Sequence, residues 1–155
     1  MTKIETVTIV YASPNVLLGM KKRRFGSGKY NGFGGKIKDG ENLEECAFRE
    51  TLEESGIRIQ NPELIGRILF HFIDGEPDHL VYFFRAKTFG GELRESDEMI
   101  SEWFHRDKIP YENMWPDDKY WLPLLLEGKK FIGEFLFDIE RNIKSYTLKE
   151  VNSLD

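Results

Sequence analysis

Glu50, Glu53 and Glu54 stand at i, i+3 and i+4. If that segment is helical, the three carboxylates project within roughly a 100° arc of one helix face. Like charges at this spacing destabilise a helix by about 0.2–0.5 kcal/mol per pair. The same arc carries Leu43, Cys46, Ala47 and Ile57, so the face is expected to be partly buried. Something positive should sit there. Hard divalent cations such as Mg²⁺ or Mn²⁺ prefer carboxylate oxygen, and three carboxylates on a rigid helix can hold one or more of them. A solvated acidic face is the plainer alternative, because exposed Glu is common.

Elsewhere in the chain, other residue types could contact a ligand. Lys21 to Arg24 is by default a solvated basic turn, yet it lies beside a glycine-rich stretch and could meet a phosphate group, with Lys21 the foremost member. Trp115 offers a flat face to a base, against the simpler reading of core packing. Asp117 and Asp118 follow Pro116 and would ordinarily be read as helix N-cap and first-turn residues.

These groups need elements to hold them. Residues 4 to 12 alternate, with Val7, Ile9 and Tyr11 on one face and Thr6 and Thr8 on the other, which predicts a half-polar strand. Val16 to Met20 reads as its partner after the turn at Ser13-Pro14-Asn15. Gly26, Gly28, Gly32, Gly34, Gly35 and Gly40 crowd a loop where the backbone must turn sharply or approach something closely. A helix is expected from about Asn42 to Ser55, with Asn42 as N-cap, Glu45 completing a capping box and Gly56 as the stop. Leu64 to Ile73 and Leu80 to Lys87 read as strands, and Glu102 to His105 as a shorter one. Pro116 to Glu127 reads as a second helix ended by Gly128, and Phe131 to Ile139 as another strand. The class is α/β, two helices against a mixed sheet.

A length of 155 residues with no repeat or linker predicts one domain, 1–155, burying about two thirds of its unfolded surface. Cys46 is the sole cysteine, which excludes an internal disulfide and points to a reducing, cytoplasmic compartment. The start Met1-Thr2-Lys3 runs straight into Ile4 to Tyr11, so no secretory signal is expected, and no apolar stretch is long enough for a membrane span. A net charge of -5 argues against polymeric nucleic acid as a partner and leaves a small anionic substrate open, with metal ions supplying the compensating charge. A monomer is the default.

Written from Gly35, the chain reads Gly, five residues, Glu41, seven residues, Arg49-Glu50, two residues, Glu53-Glu54, one residue, Gly56-Ile57. This resembles the Nudix box, and chance would produce it at on the order of one start in a hundred million. Thr51 departs from the pattern, which has a bulky apolar residue there; Leu52 is expected to take over some of that packing. The segments Val16 to Arg23, Asn31 to Lys36, Glu95 to Met99 and Met114 to Asp118 are similar to the mammalian-type MutT homologues within this superfamily, hydrolases of oxidised purine nucleoside triphosphates such as 8-oxo-dGTP.

The resemblance implies a Nudix fold, a mixed sheet sandwiched between helices, and Mg²⁺-dependent release of pyrophosphate from the triphosphate, with Mn²⁺ as a possible substitute. It implies that Gly34 (through its carbonyl), Glu50, Glu53, Glu54 and Glu98 hold metal, and that Arg49 orients the carboxylates. Either Glu50 or Glu54 fits the proton acceptor. It places Asp117 and Asp118 on the base's hydrogen-bonding edge, adds Asn31 as a further base contact, and makes Thr6, Phe25, Phe70 and Trp121 pocket-lining candidates. Two departures touch substrate preference: Asp74 to His79 does not match the relatives cleanly, and Tyr30 stands where they carry Trp. Other substrates of the superfamily, namely sugar nucleotides, dinucleotides and capped RNA, are the alternative, and a binding module without catalysis is the remote one.

Overall fold

Thr6 and Thr8 are as deeply buried as Ile9, so the first strand is not half-polar. The reason is that both faces of the sheet are covered. The computed structural model describes residues 1–22 and 27–155; Phe25 lies outside the described residues. In chain order the elements are β1 (Lys3–Ala12), β2 (Asn15–Lys21), β3 (Tyr30–Asn31), β4 (Phe33–Lys36), α1 (Leu43–Ser55), β5 (Ile57–Gln60), β6 (Glu63–Phe72), β7 (His79–Ala86), β8 (Thr88–Gly91), β9 (Met99–His105), α2 (Asp118–Leu126), β10 (Phe131–Phe137) and β11 (Ile143–Glu150).

The main sheet runs β11-β10-β6-β7-β1-β2-β3. It is mixed: β1 lies parallel to β7, and β10 parallel to β6, while the other pairings are antiparallel. Strand β1 changes partner along its length. Its second half pairs with β2, Val10 opposite Leu17, and its first half with β4, Val7 opposite Gly34. That split draws part of the glycine-rich stretch, expected as loop, into the sheet as β4 on β1, and another part adds to β2 as β3. Glu5, Val7 and Ile9 therefore face one side with His79, Val81 and Phe83 of β7, and Thr6 and Thr8 face the other.

Two cores result. On one side Val10, Leu17, Phe33, Ala47, Ile57 and Phe84 pack under α1. On the other Ile9, Ile68, Phe83, Trp121, Leu122 and Phe135 pack under α2. Helix α1 begins as its sequence indicates: the Asn42 side chain accepts from Glu45 N at 2.8 Å, Asn42 N donates to Glu45 Oε1 at 2.9 Å, and Gly56 at φ 84° ends it. Thr51 is fully buried and donates its hydroxyl to Ala47 O at 2.7 Å, so its polar atom is satisfied within the helix. Thr51 fills the buried position itself; Leu52 is only half-buried.

Several bounds differ from expectation, and one edge strand was not expected. Strand β9 starts at Met99 and pairs with β2 from Lys21 to Asn15, three residues earlier than alternation alone suggests. Helix α2 starts at Asp118 rather than Pro116, the preceding turn being closed by Asp118 N donating to Trp115 O at 3.1 Å. Strand β11, largely exposed, is an edge strand whose apolar residues Ile143, Tyr146 and Leu148 are only partly covered by the core.

Candidate active site

Helix α1 presents its carboxylates toward the β1–β4 strand pair. Gly34 N donates to Glu54 Oε1 at 2.9 Å. Burial pushes the Glu54 carboxyl up to about 8, helped by the negative charges of Glu50 and Glu98 and opposed by the Gly34 hydrogen bond and by Lys21. Arg49 organises the rest. Its Nε and Nη2 clasp Glu41 at 2.7 and 3.0 Å, its Nη1 reaches Glu50 Oε1 at 2.6 Å and Glu53 Oε2 at 3.5 Å, and Nη2 also donates to Lys36 O at 3.1 Å. Glu41 is held well below the usual carboxylate range, at about 2, chiefly by the Arg49 hydrogen bonds. Arg49 is thus an orienting residue rather than an outward-facing one, with a side chain 19% exposed.

Among the described residues, no three side chains already converge into a closed metal cage. Arg49 draws Glu50 aside, and Glu53 is 56% exposed. The donor set nevertheless suits a hard divalent cation: it is all oxygen, and it contains a buried carboxylate whose neighbours Glu50 and Glu98 leave negative charge in excess. Glu98 is brought to this end because Lys22 N donates to Glu98 O at 2.8 Å.

Close approach explains two glycines. A Cβ on Gly34 would lie 1.8 Å from Thr6 O, and one on Gly35 2.7 Å from the Glu50 carboxyl carbon. Gly34→Ala is therefore expected to force β4 off β1, move the Gly34 donor from Glu54, and lower both melting temperature and activity. A variant that melts like the parent would contradict the close approach.

On the α2 side of the sheet lies a cavity of about 230 Å³. Of the sequence-derived substrate residues, Thr6, Lys21, Asn31, Phe70, Trp115, Asp117, Asp118 and Trp121 all line it, and Gly34 and Gly35 tie it to the carboxylate helix. Trp115 is half-buried rather than core, with Lys29 Nζ 5.4 Å from its ring centroid. Trp121 serves both roles, packing against Phe83 at 4.3 Å and lining the cavity.

Asp117 and Asp118 are buried. Asp117 does not cap α2 with its side chain; it accepts from Trp121 Nε1 at 2.8 Å instead. Desolvation raises both carboxyls, and Asp118 is raised well above the ordinary range because it also faces the charge and hydrogen bond of Asp117. Because Trp121 already donates to Asp117, a proton shared by the pair is favoured on Asp118. The pair offers one donor and one acceptor.

Residues that sequence reading did not single out complete the wall: Glu5, Val7, Phe72, His79, Val81 and Phe83. Their signal was present, since Phe72 is two residues from Phe70 and Val7 shares a face with Ile9.

Among the described residues, a nine-stranded mixed sheet carries an acidic helix on one face and a polar-tipped aromatic cavity on the other. The NUDIX domain model matches residues 2–125, and the chain belongs to the Nudix family, whose hydrolases work with a divalent metal. It is 47% identical over 153 residues to the oxidized purine nucleoside triphosphate hydrolase of Mus musculus, covering 98% of this chain and 97% of the mouse protein. It is 49% identical to the protein of the same description from Danio rerio, covering 99% and 98%. Among solved structures, the MutT protein from Bacillus halodurans superposes with a TM-score of 0.85 at 31% identity, over 95% of this chain and 97% of that one.

Proposed function

We propose that this Nudix hydrolase converts oxidised purine nucleoside triphosphates of the 8-oxo-dGTP type to the monophosphate and pyrophosphate, as a single-domain cytoplasmic enzyme that clears damaged nucleotides before they enter DNA. The observation that carries this reading is the Asp117–Asp118 pair at the wall of an aromatic cavity. An oxidised purine gains or exchanges a donor or acceptor on its edge, and a carboxylic acid beside a carboxylate can meet both kinds of group. Near full-length similarity to two hydrolases of oxidised purine triphosphates supports it.

The roles follow from placement. Glu50, Glu53, Glu54, Glu98 and the Gly34 carbonyl would hold Mg²⁺, which when bound neutralises phosphate charge and acidifies water. Arg49, clasped by Glu41, fixes the Glu50 carboxylate. Lys21, at the junction of cavity and helix, meets the phosphate chain. Either Glu54 or Glu50 would accept the proton of the attacking water, according to which of them the metal leaves free. Trp115 stacks on the base, Asn31, Asp117 and Asp118 read its edge, and Thr6, Phe70 and Trp121 shape the pocket.

The deciding experiment is kcat/KM with Mg²⁺ for 8-oxo-dGTP, 2-hydroxy-dATP, dGTP, ADP-ribose and a dinucleoside polyphosphate. Preference for an oxidised purine triphosphate is expected; a preference for ADP-ribose or the dinucleotide would replace this reading. Trp115→Ala is expected to weaken substrate binding by about 1–3 kcal/mol through lost stacking, appearing mainly in KM. A collapse of thermal stability with normal affinity in the folded fraction would make Trp115 a core residue.

A further inference from the structure

Glu5 and His79 line the cavity but belong neither to the carboxylate helix nor to the base-reading group. They come from the parallel neighbours β1 and β7 and lie on the α2 side of the sheet, one step before Val7 and Val81. The His79 ring is held from two directions. Its Nδ1 meets Glu5 Oε1 at 2.5 Å, its Nε2 meets Glu76 Oε1 at 3.2 Å, and the same Glu76 oxygen accepts from Lys3 Nζ at 3.1 Å. Two carboxylates bonded to both ring nitrogens require both nitrogens to donate, which is the imidazolium form.

The other charged groups nearby are engaged elsewhere. His71 of β6 lies against Asp78 and Glu134, at 3.0 and 3.2 Å. Arg141 covers Phe72, whose ring meets the His79 imidazole edge-on at 5.3 Å, and pairs with Asp74 at 2.9 Å. Within the four-residue cluster, Lys3 and imidazolium His79 balance Glu5 and Glu76. Without the His79 proton, one negative charge remains at the cavity wall, where a nucleotide must bring phosphate charge of the same sign.

We propose that Glu5 and His79 are an affinity-determining pair of this site: imidazolium His79 cancels the carboxylates at the wall and admits an anionic nucleotide, and loss of its proton makes the same wall repulsive. This rests on the nucleotide reading of the cavity given above. His79 is raised above its ordinary value, first by the Glu5 hydrogen bond, with burial opposing. A raised histidine keeps its charge through the ordinary range and loses it as pH climbs past the folded-state value, so affinity falls in that direction.

The test is the Kd of 8-oxo-dGMP, dGMP and AMP, which carry no anhydride to cut, by calorimetry near pH 6.5 and near pH 9. At the lower pH, His79→Gln should bind roughly three- to tenfold more weakly than the parent and lose most of the difference in pH response. Adding Glu5→Gln restores neutrality, so the double variant should recover binding to within about twofold of the parent, since the cluster again sums to zero. A packing role makes the opposite demand, because the double variant would then bind more weakly still. Glu5→Gln alone keeps the imidazole and leaves Lys3 balancing Glu76, so near pH 9 it should bind more tightly than the parent. Parental affinity in His79→Gln at low pH, no recovery in the double variant, or no gain in Glu5→Gln at high pH would each overturn the proposal. If AMP binds and 8-oxo-dGMP does not, the oxidised-purine reading fails, and the charge test is then read on AMP.

Discussion

Glu54→Gln is expected to leave the fold intact and to cut kcat by at least ~10²-fold, the loss expected from removing a metal ligand or proton acceptor. The amide oxygen of Gln can still accept from Gly34 N, so the contact between α1 and β4 survives. What disappears is the negative charge and the ability to take a proton. The same variant should gain stability when metal is withheld. Glu54 titrates near 8 in the fold, chiefly because burial disfavours its charge, against an ordinary value of 4.5. A carboxyl raised by folding costs stability increasingly as pH rises above its unfolded value, and the cost levels off above the folded one. In metal-free buffer near pH 8.5, Glu54→Gln should therefore melt above the parent by roughly 3–8 °C, and near pH 4 the two should coincide. Adding Mg²⁺ should raise the parent's melting temperature more than the variant's. Near-parental turnover in a folded variant, or no separation of melting temperatures at alkaline pH, would remove Glu54 from the centre of the site.

The elements that frame this carboxylate were legible because their signals are local. Asn42, Glu45 and Gly56 mark the ends of α1 by side-chain and backbone hydrogen bonds made within four residues, and those bonds are the ones formed. Strands β6, β7 and β10 follow runs of apolar residues. The short strands β3 and β4 were not legible, since Tyr30–Asn31 is only two residues long and Phe33–Lys36 has glycines where a strand usually has bulk. Strand β3 forms on the edge of β2, Gly19 opposite Asn31, and β4 on the edge of β1, where only a glycine at position 34 lets the two backbones close to the observed distance. Strand β11 escaped for a related reason, as its hydrogen bonds from β10 hold it at the edge and its few apolar residues are separated by Lys, Ser and Thr.

Within the site, residues tied to a spaced motif were readable and those tied to a fold contact were not. Glu50, Glu53 and Glu54 declare themselves by helical spacing. Glu41 looked like a motif position without a task, and its clasp on Arg49 appears only when eight residues of helix and loop bring the two together. By alternation Thr6 falls on the polar face of a half-polar strand; the covering helix α1, with Cys46 Sγ 3.3 Å from the Thr6 hydroxyl, buries that face. His79 lies in the loop-to-strand junction that departs from the relatives' pattern, and its partners Glu5 and Glu76 come from 74 residues and 3 residues away.

Asp118→Asn should redirect base preference without touching the metal requirement. Asp117 is committed as an acceptor, because Trp121 Nε1 donates to its Oδ2 at 2.8 Å, and Asp118 carries the shared proton, being the carboxyl raised well above the ordinary range. An O–H at position 118 can be turned or lost to suit the base; an amide offers a fixed NH₂ and a carbonyl, and cannot ionise. A buried donor or acceptor left unmatched costs about 1–3 kcal/mol, so the ratio of kcat/KM between 8-oxo-dGTP and dGTP should move by roughly 5- to 150-fold. Asp117→Asn keeps an oxygen for Trp121, relieves the like-charge effect on Asp118, and should alter the ratios in a different pattern. The pH profiles should separate as well. In the parent, raising pH removes the proton from Asp118 and with it the donor, so preference for a base edge that needs a donor declines on the alkaline side. In Asp118→Asn that decline disappears. Measurements of kcat/KM for 8-oxo-dGTP, 2-hydroxy-dATP and dGTP across pH with both variants carry the decision. If the two aspartates only began α2, Asn would serve nearly as well as Asp, and every ratio would stay at the parental value.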